Sequence, residues 1–146
     1  MLRKSFIVLA VTVMIALPFT HDSGVGGIIE ASDAAEVGKA LQISDERGVK
    51  VTVILQGISS EAKTWDFQMT LETHTQDLSE DLSKSAVLIA DGKKYLPEGW
   101  EGAPPGGHHR KGILRFKAIV PQPVSAELQL RLAGDASPRS FKWLLK

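Results

Sequence analysis

From Leu41 onward, apolar and polar residues alternate in short runs. Two runs carry the pattern most clearly: Val49, Val51, Val53 and Leu55, and then Trp65, Phe67, Met69 and Leu71. Because successive side chains of a strand point to opposite faces, each run predicts a strand with one buried face and one solvated face.

Four further segments are typical of strands separated by turn residues. They are Ala86–Ala90, Ile113–Val120, Leu128–Leu132 and Phe141–Leu145. Asp91-Gly92 predicts a tight hairpin leading into Tyr95. Pro121 ends the strand Ile113–Val120, because proline donates no ladder hydrogen bond. Seven or eight short strands predict an all-β fold, an antiparallel β-sandwich of the immunoglobulin-like type.

Two segments depart from the strand pattern. Thr75–Ser85 suits a helical turn and would cross between the sheets, and a weak helix is predicted over Ser32–Leu41. His74 directly precedes the first of these segments, so it is expected at the end of a strand.

The N-terminal residues have the pattern of a secretory signal. Arg3 and Lys4 precede an apolar run from Phe6 to Phe19, which is shorter than the about 20 residues that a spanning helix needs. We therefore predict a signal peptide over residues 1–26 with an uncertain cleavage site, a flexible linker over 27–40 and a β-sandwich over 41–146. The protein is expected in the periplasm or outside the cell, without a stable membrane span in its mature form.

Composition excludes several classes of function. The chain contains no cysteine, so it forms no disulfide-linked oligomer, thiolate zinc site, iron–sulfur cluster or blue-copper site. Its 17 basic and 17 acidic residues balance and form no long run of one sign, which argues against a nucleic-acid partner. Hydrolase, phosphate-loop and metalloprotease motifs are also absent from the sequence, so a non-enzymatic protein is predicted.

The candidate chemistry lies in a loop rich in glycine and proline. It contains Gly106, Gly107, His108, His109 and Arg110, preceded by Trp100 and Glu101. Neutral imidazoles are common ligands of copper and zinc, and His74, His108 and His109 could share one ion if the loop brings them together. Neighbouring strand residues diverge, so both loop histidines can reach one ion only if the glycines bend the backbone. Glu72, Asp77 and Glu101 are candidates to orient a ring nitrogen.

An architectural interpretation competes with the metal site. In it, one loop histidine bonds a buried backbone group, the other is solvated, and Arg110 pairs with an acid. Trp100 either stacks on a ligand or caps the core, and capping is the simpler role for an indole with one polar group. A separate copper hypothesis places His21 at the mature N-terminus.

Three segments resemble a known family. Leu71–Thr75, Ala86–Leu88 and above all Trp100–Phe116 are similar to segments of a family of exported bacterial and archaeal proteins of unassigned function. The resemblance covers about residues 49–116 and implies a small β-sandwich outside the cytoplasm, without implying an activity.

Two functions remain open from the sequence. One is an exported binding module that holds copper or zinc, or another small ligand, at the histidine loop. The other is a structural or protein-interaction sandwich in which the loop is architectural and no metal is bound.

Overall fold

The computed structural model describes residues 40–59 and 61–145. The described residues form nine strands and one short helix, α1, at Leu82–Ser85. The strands are β1 Leu41–Glu46, β2 Val49–Gln56, β3 Thr64–Thr73, β4 Ala86–Ala90, β5 Lys93–Tyr95, β6 Gly99–Gly102, β7 His109–Lys117, β8 Ser125–Leu130 and β9 Arg139–Leu144. The predicted signal peptide, most of the linker and His21 lie outside the described residues.

The strands form two antiparallel sheets that enclose one core. The larger sheet has the order β1-β2-β3-β7-β6, and the smaller sheet has the order β5-β4-β8-β9. Buried side chains from both sheets belong to a single hydrophobic cluster, so the predicted all-β sandwich is confirmed.

The core consists of the residues at alternating strand positions. Val51, Val53, Phe67, Met69 and Leu71 are fully buried, as the period of two predicts. The ring of Phe67 packs 5.4 Å from that of Phe116, edge to face, and also 5.4 Å from that of Trp143 in the opposite sheet. Such pairs add about 0.5–1.5 kcal/mol each beyond the buried area.

Two strands were not predicted. In β1 the apolar Leu41 and Ile43 pair with Ile54 and Thr52, on the face of the sheet that points away from the core. Of the predicted helix over Ser32–Leu41 the structure describes only Ala40, which is helical, and Leu41, which begins β1. The second additional strand, β6, contains Trp100 and Glu101, so neither residue is in the loop where the sequence placed it.

Other boundaries differ from the predictions as well. Strand β7 begins at His109 and ends at Lys117, so Ala118–Val120 is not a strand, and Val120 is exposed. Within Thr75–Ser85 only Leu82–Ser85 is helical, capped by the Asp81 side chain, which accepts a hydrogen bond from Ser83 N.

Two hairpins turn in two residues with positive φ. Arg47-Gly48 joins β1 to β2 and Asp91-Gly92 joins β4 to β5, with φ between 48° and 74° at all four positions. Positive φ at both central residues is the conformation of a type I′ turn. The predicted Asp91-Gly92 hairpin is therefore confirmed.

One end of the sandwich collects four connections, and we call it the histidine end. It consists of the β1–β2 turn and of residues 74–81, 103–108 and 131–138. Hydrogen bonds join these connections: Gln76 Nε2 to Arg47 O (3.0 Å), Gly107 N to Asp77 Oδ1 (2.6 Å) and Ala133 N to Glu80 Oε1 (2.6 Å).

Candidate functional site

Two of the three predicted histidines lie side by side. His74 follows the last residue of β3, and His109, the first residue of β7, pairs with Glu72 of β3. The ring centroids of His74 and His109 are 6.3 Å apart with an interplanar angle of 81°. Glu72 Oε1 lies 3.9 Å from His109 Nδ1, which is close but longer than a hydrogen bond, and both side chains are largely exposed.

His108 takes part in this arrangement through its backbone. Its carbonyl accepts a hydrogen bond of 2.9 Å from Thr73 N, which extends the pairing of β3 with β7. Its side chain is exposed. The preceding Gly106 and Gly107 have φ of 114° and 77°, so the glycines do bend the backbone where the sequence analysis required it.

The bent loop is held by residues 77 and 78. Gly106 N donates to Leu78 O (2.8 Å), and Leu78 N donates to Gly107 O (2.9 Å). Gly107 N donates to Asp77 Oδ1. Asp77, a candidate to orient a histidine, therefore binds the loop backbone.

Arg110 is the buried centre of the histidine end, with 1% of its surface exposed. Its Nη1 donates to Leu78 O (3.2 Å) and Glu80 O (2.6 Å), and its Nη2 donates to Ala103 O (3.3 Å). Its Nε has no hydrogen-bond partner, and the guanidinium carbon lies 5.6 Å from the centre of the Trp100 ring.

The prediction that Arg110 pairs with an acid is wrong. Among the described residues no carboxylate lies within ion-pair distance of it, so its partners are backbone carbonyls and not an acid. Burial lowers the pKa of the Arg110 guanidinium, and the charges of Glu80 and Asp81 oppose that shift. The group stays protonated because arginine does not lose its proton in proteins.

Trp100 lies at the edge of the core. Its Nε1 donates to Ala103 O at 2.9 Å, and its ring packs against the core cluster. Gly102 and Gly112 face each other across β6 and β7, and a Cβ on Gly112 would lie 2.6 Å from Trp100 Cζ2. The two glycines thus make room for the indole, and the geometry agrees with the capping role.

Glu101 has a separate partner. Its Oε1 accepts a hydrogen bond of 2.9 Å from Arg115 Nη1, and Arg115 also makes two hydrogen bonds to the Asp66 carboxylate, at 2.8 and 2.9 Å. Glu101 therefore belongs to an ion-pair cluster with Arg115 and Asp66 on the larger sheet.

The metal-binding capacity of the site is limited. Within residues 40–59 and 61–145, no group of three or more histidine, aspartate or glutamate side chains is arranged to hold a metal ion. His74 and His109 can offer two imidazole nitrogens, which would leave the remaining coordination positions of zinc or copper to water.

The sequence patterns did not identify a second buried arginine, Arg139. Arg139 bonds Asp135 through Nε (3.0 Å) and the carbonyls of Val49 and Glu46 through Nη1 (2.7 Å) and Nη2 (2.9 Å). It thereby attaches β9 to the β1–β2 hairpin. The alternation of Arg139 with Phe141 and Trp143 is the signal that could have placed it on the inner face.

A shallow groove of about 360 Å³ lies on the smaller sheet. Its lining consists of Lys84, Ser85, Val87, Gln129, Arg131 and Pro138. None of the predicted site residues lines it, so the groove is separate from the histidine loop.

Comparison of the chain with protein-family models and with curated proteins finds no match. The resemblance of Trp100–Phe116 to an exported family therefore stays a prediction. In the described part of the chain, no helix has the length and apolar character needed to cross a membrane.

Proposed function

We propose that the protein is an exported, non-enzymatic β-sandwich that acts through contacts with other protein molecules, and that its histidine loop is architectural. One observation carries this proposal. The polar groups that a ligand would use at the loop already bond within the fold: the Trp100 indole, the Glu101 carboxylate, the Gly106 and Gly107 amides and the Arg110 guanidinium.

The energetics favour architecture over ligand capture. A ligand that took the hydrogen bond between Arg110 and Glu80 O would leave that carbonyl without its donor, and an unsatisfied buried polar group costs about 1–3 kcal/mol. Opening the loop would also break the paired backbone hydrogen bonds between residues 78 and 106–107. Since the loop forms part of the folded structure, ligand binding there would come at the expense of stability.

Export is the second part of the proposal, and it rests on the signal-like pattern of the first residues. Expression of the full chain in a bacterium, followed by N-terminal sequencing of the exported protein, tests it. We expect cleavage near Gly26. Recovery of the uncleaved chain in the cytoplasm alone would refute export, and a mature N-terminus at His21 would revive the copper hypothesis.

A second candidate function has one specific observation in its favour. His74 and His109 lie close enough to ligate one divalent ion, and Glu72 lies beside His109. In this alternative the protein binds zinc or copper at two imidazoles, without a contribution from the His108 ring.

A titration with Zn²⁺ and with Cu²⁺ decides between the two functions. The architectural proposal expects no saturable stoichiometric binding by the wild type. The metal alternative expects binding that His74→Ala and His109→Ala each weaken at least tenfold, while the matched control His108→Ala leaves it unchanged. Stoichiometric binding with that pattern of variants would overturn the architectural proposal.

A further inference from the structure

Strand β1 forms one edge of the larger sheet and carries a row of unused backbone groups. Among the described residues it pairs only with β2, and the two-residue turn between them makes Glu46 and Val49 a hydrogen-bonded pair. Hydrogen-bonded and non-hydrogen-bonded pairs alternate along antiparallel strands, so Leu41, Ile43 and Asp45 lie at non-hydrogen-bonded positions. Their N–H and C=O groups therefore point away from β2, toward the open edge.

Contacts with the smaller sheet hold β1 at its two ends. Trp143 Nε1 donates to Ala40 O (2.8 Å), and Arg139 Nη2 donates to Glu46 O (2.9 Å). In the described part of the chain, no hydrogen bond from outside the β1–β2 ladder reaches the backbone of residues 41, 43 or 45. The Ile43 side chain between the two ends is 55% exposed. The strand is thus fixed in place while the middle of its edge is accessible.

The other three edges of the sheets have features that ordinarily block strand addition. Strand β5 has only three residues, two of them lysines, and β6 has only four, two of them glycines. Strand β9 directly follows Pro138 and points the charged Arg139 inward. Short strands, lysines and inward charges prevent an edge from pairing with another chain. Strand β1 has six residues in continuous register, without a lysine or a proline.

The side chains along this edge indicate the chemistry of a partner. Opposed residues on neighbouring strands interact in pairs, so an added strand would place apolar side chains opposite Leu41 and Ile43. Asp45 is exposed, and strand register aligns it with Lys50 of β2 and Glu72 of β3. Two acids flank one cation in that row, so a negative charge is in excess at the edge and favours a basic residue opposite Asp45.

We propose that β1 accepts an extended segment of another protein as an additional antiparallel strand, with two apolar residues and one basic residue on its outward face. The inference rests on the proposed function as a protein-interaction sandwich and names the surface and the kind of partner. Main-chain hydrogen bonds at residues 41, 43 and 45 would supply affinity, and the side-chain pairs would supply selectivity.

Hydrogen exchange of the exported protein, alone and with a synthetic peptide, tests the added strand. In the peptide, threonine alternates with one lysine and two valines, ordered to lie opposite Asp45, Ile43 and Leu41. In the protein alone we expect fast exchange at these three amides and slow exchange at Gln42 and Ser44, which lie at hydrogen-bonded positions. The peptide should slow the three edge amides at least tenfold and leave Gln42 and Ser44 unchanged.

A pair of proline variants separates this edge from a general effect on the fold. Ile43→Pro removes an outward N–H but no ladder hydrogen bond, a position at which edge strands tolerate proline, and it should weaken peptide binding at least tenfold. Leu144→Pro is the matched control. Leu145 N donates to Val124 O (2.8 Å), so by the same alternation the N–H of Leu144 points to the open edge of β9. This variant should leave binding unchanged, and circular dichroism checks that both variants fold.

A charge reversal provides a test that is independent of proline. Asp45→Lys changes an exposed side chain and should weaken binding of the lysine peptide, whereas a peptide with glutamate in place of lysine should bind this variant better than it binds the wild type. Isothermal titration measures both affinities. Equal affinities of the two peptides for the wild type would overturn the proposed selectivity.

Three other results would overturn the proposal as a whole. One is the absence of saturable binding up to about 1 mM peptide, and another is equal weakening by the two proline variants. The third is slow exchange of the edge amides in the protein alone. Protection that rises with protein concentration would assign the edge to a second copy, and protection independent of concentration would assign it to the chain's own N-terminal residues. The metal titration is separate from these results, so the edge can fail while the architectural loop stands.

Discussion

The ring of His74 lies edge-on to the ring of His109, with their centroids 6.3 Å apart. The two residues are 35 positions apart in the chain, yet the pairing of β3 with β7 makes them neighbours. Their proximity is a consequence of strand register, while the glycine loop before them is held by its own hydrogen bonds. The histidine pair and the loop are thus separable features, and different variants test them.

Removing the Arg110 guanidinium should be costly. Arg110→Met removes the guanidinium that lies over the Trp100 ring and leaves Glu80 O without its donor, whereas Leu78 O keeps Gly106 N and Ala103 O keeps Trp100 Nε1. We expect the free energy of unfolding to fall by about 1–3 kcal/mol, the cost of one unsatisfied buried polar group. Urea unfolding measures it. His108→Ala changes an exposed side chain and should alter the free energy of unfolding by less than about 0.5 kcal/mol. Equal losses for the two variants would contradict a stabilising role of the buried Arg110.

Hydrogen exchange should show that the glycine loop is ordered. The amides of Gly106 and Gly107 donate to Leu78 O and to Asp77 Oδ1 respectively, so both are expected to exchange slowly. In the variant Asp77→Ala only Gly107 loses its acceptor, and its exchange should accelerate at least tenfold relative to Gly106. Fast exchange of both amides in the wild type would show that the loop is free to take a ligand.

The glycine pair beneath Trp100 should resist substitution. An alanine Cβ at Gly112 would lie 2.5 Å from the carbonyl oxygen of Glu101 and 2.6 Å from Trp100 Cζ2. We expect Gly112→Ala to destabilise the fold by about 1–3 kcal/mol, the usual cost of overpacking. Gly99→Ala in the neighbouring strand is the control, because its Cβ would meet no atom within 4 Å. Thermal unfolding of both variants checks the difference, and a milder effect at Gly112 than at Gly99 would refute it.

The ion pair of Asp66 with Arg115 should make stability depend on pH. The hydrogen bond from Arg115 holds the pKa of Asp66 below its ordinary value of 3.8. A carboxylate with a lowered folded-state pKa stabilises the fold above the unfolded pKa, and this contribution is lost as the pH falls through the folded value. Asp66→Asn should therefore be less stable than the wild type at pH 7, with the difference shrinking as the pH falls below about 4. Urea midpoints at pH 7 and pH 3 measure it, and a difference independent of pH would exclude the ion pair as its source.

Alternation predicted the core well because burial of one strand face is a local property. Val51, Phe67 and Phe141 needed only the period of two to be assigned inward, and each is buried. The same rule missed β1, whose apolar Ile43 points away from the core, and β6, in which two glycines flank a pair of residues without alternation. A local pattern identifies a strand only when its apolar side chains face the core.

The sequence by itself determined the fold class, the inward residues of the main strands, the Asp91-Gly92 turn and the chemistry that the lack of cysteine excludes. The tertiary structure alone decided that His74 and His109 are neighbours, that Arg110 binds carbonyls in place of an acid, and that Leu41, Ile54 and Ile113 share one row on the outward face of the larger sheet. The physical reason is the range of the interactions. Alternation and turn geometry act between residues a few positions apart, whereas register and buried hydrogen bonds join residues tens of positions apart, which sequence patterns do not encode.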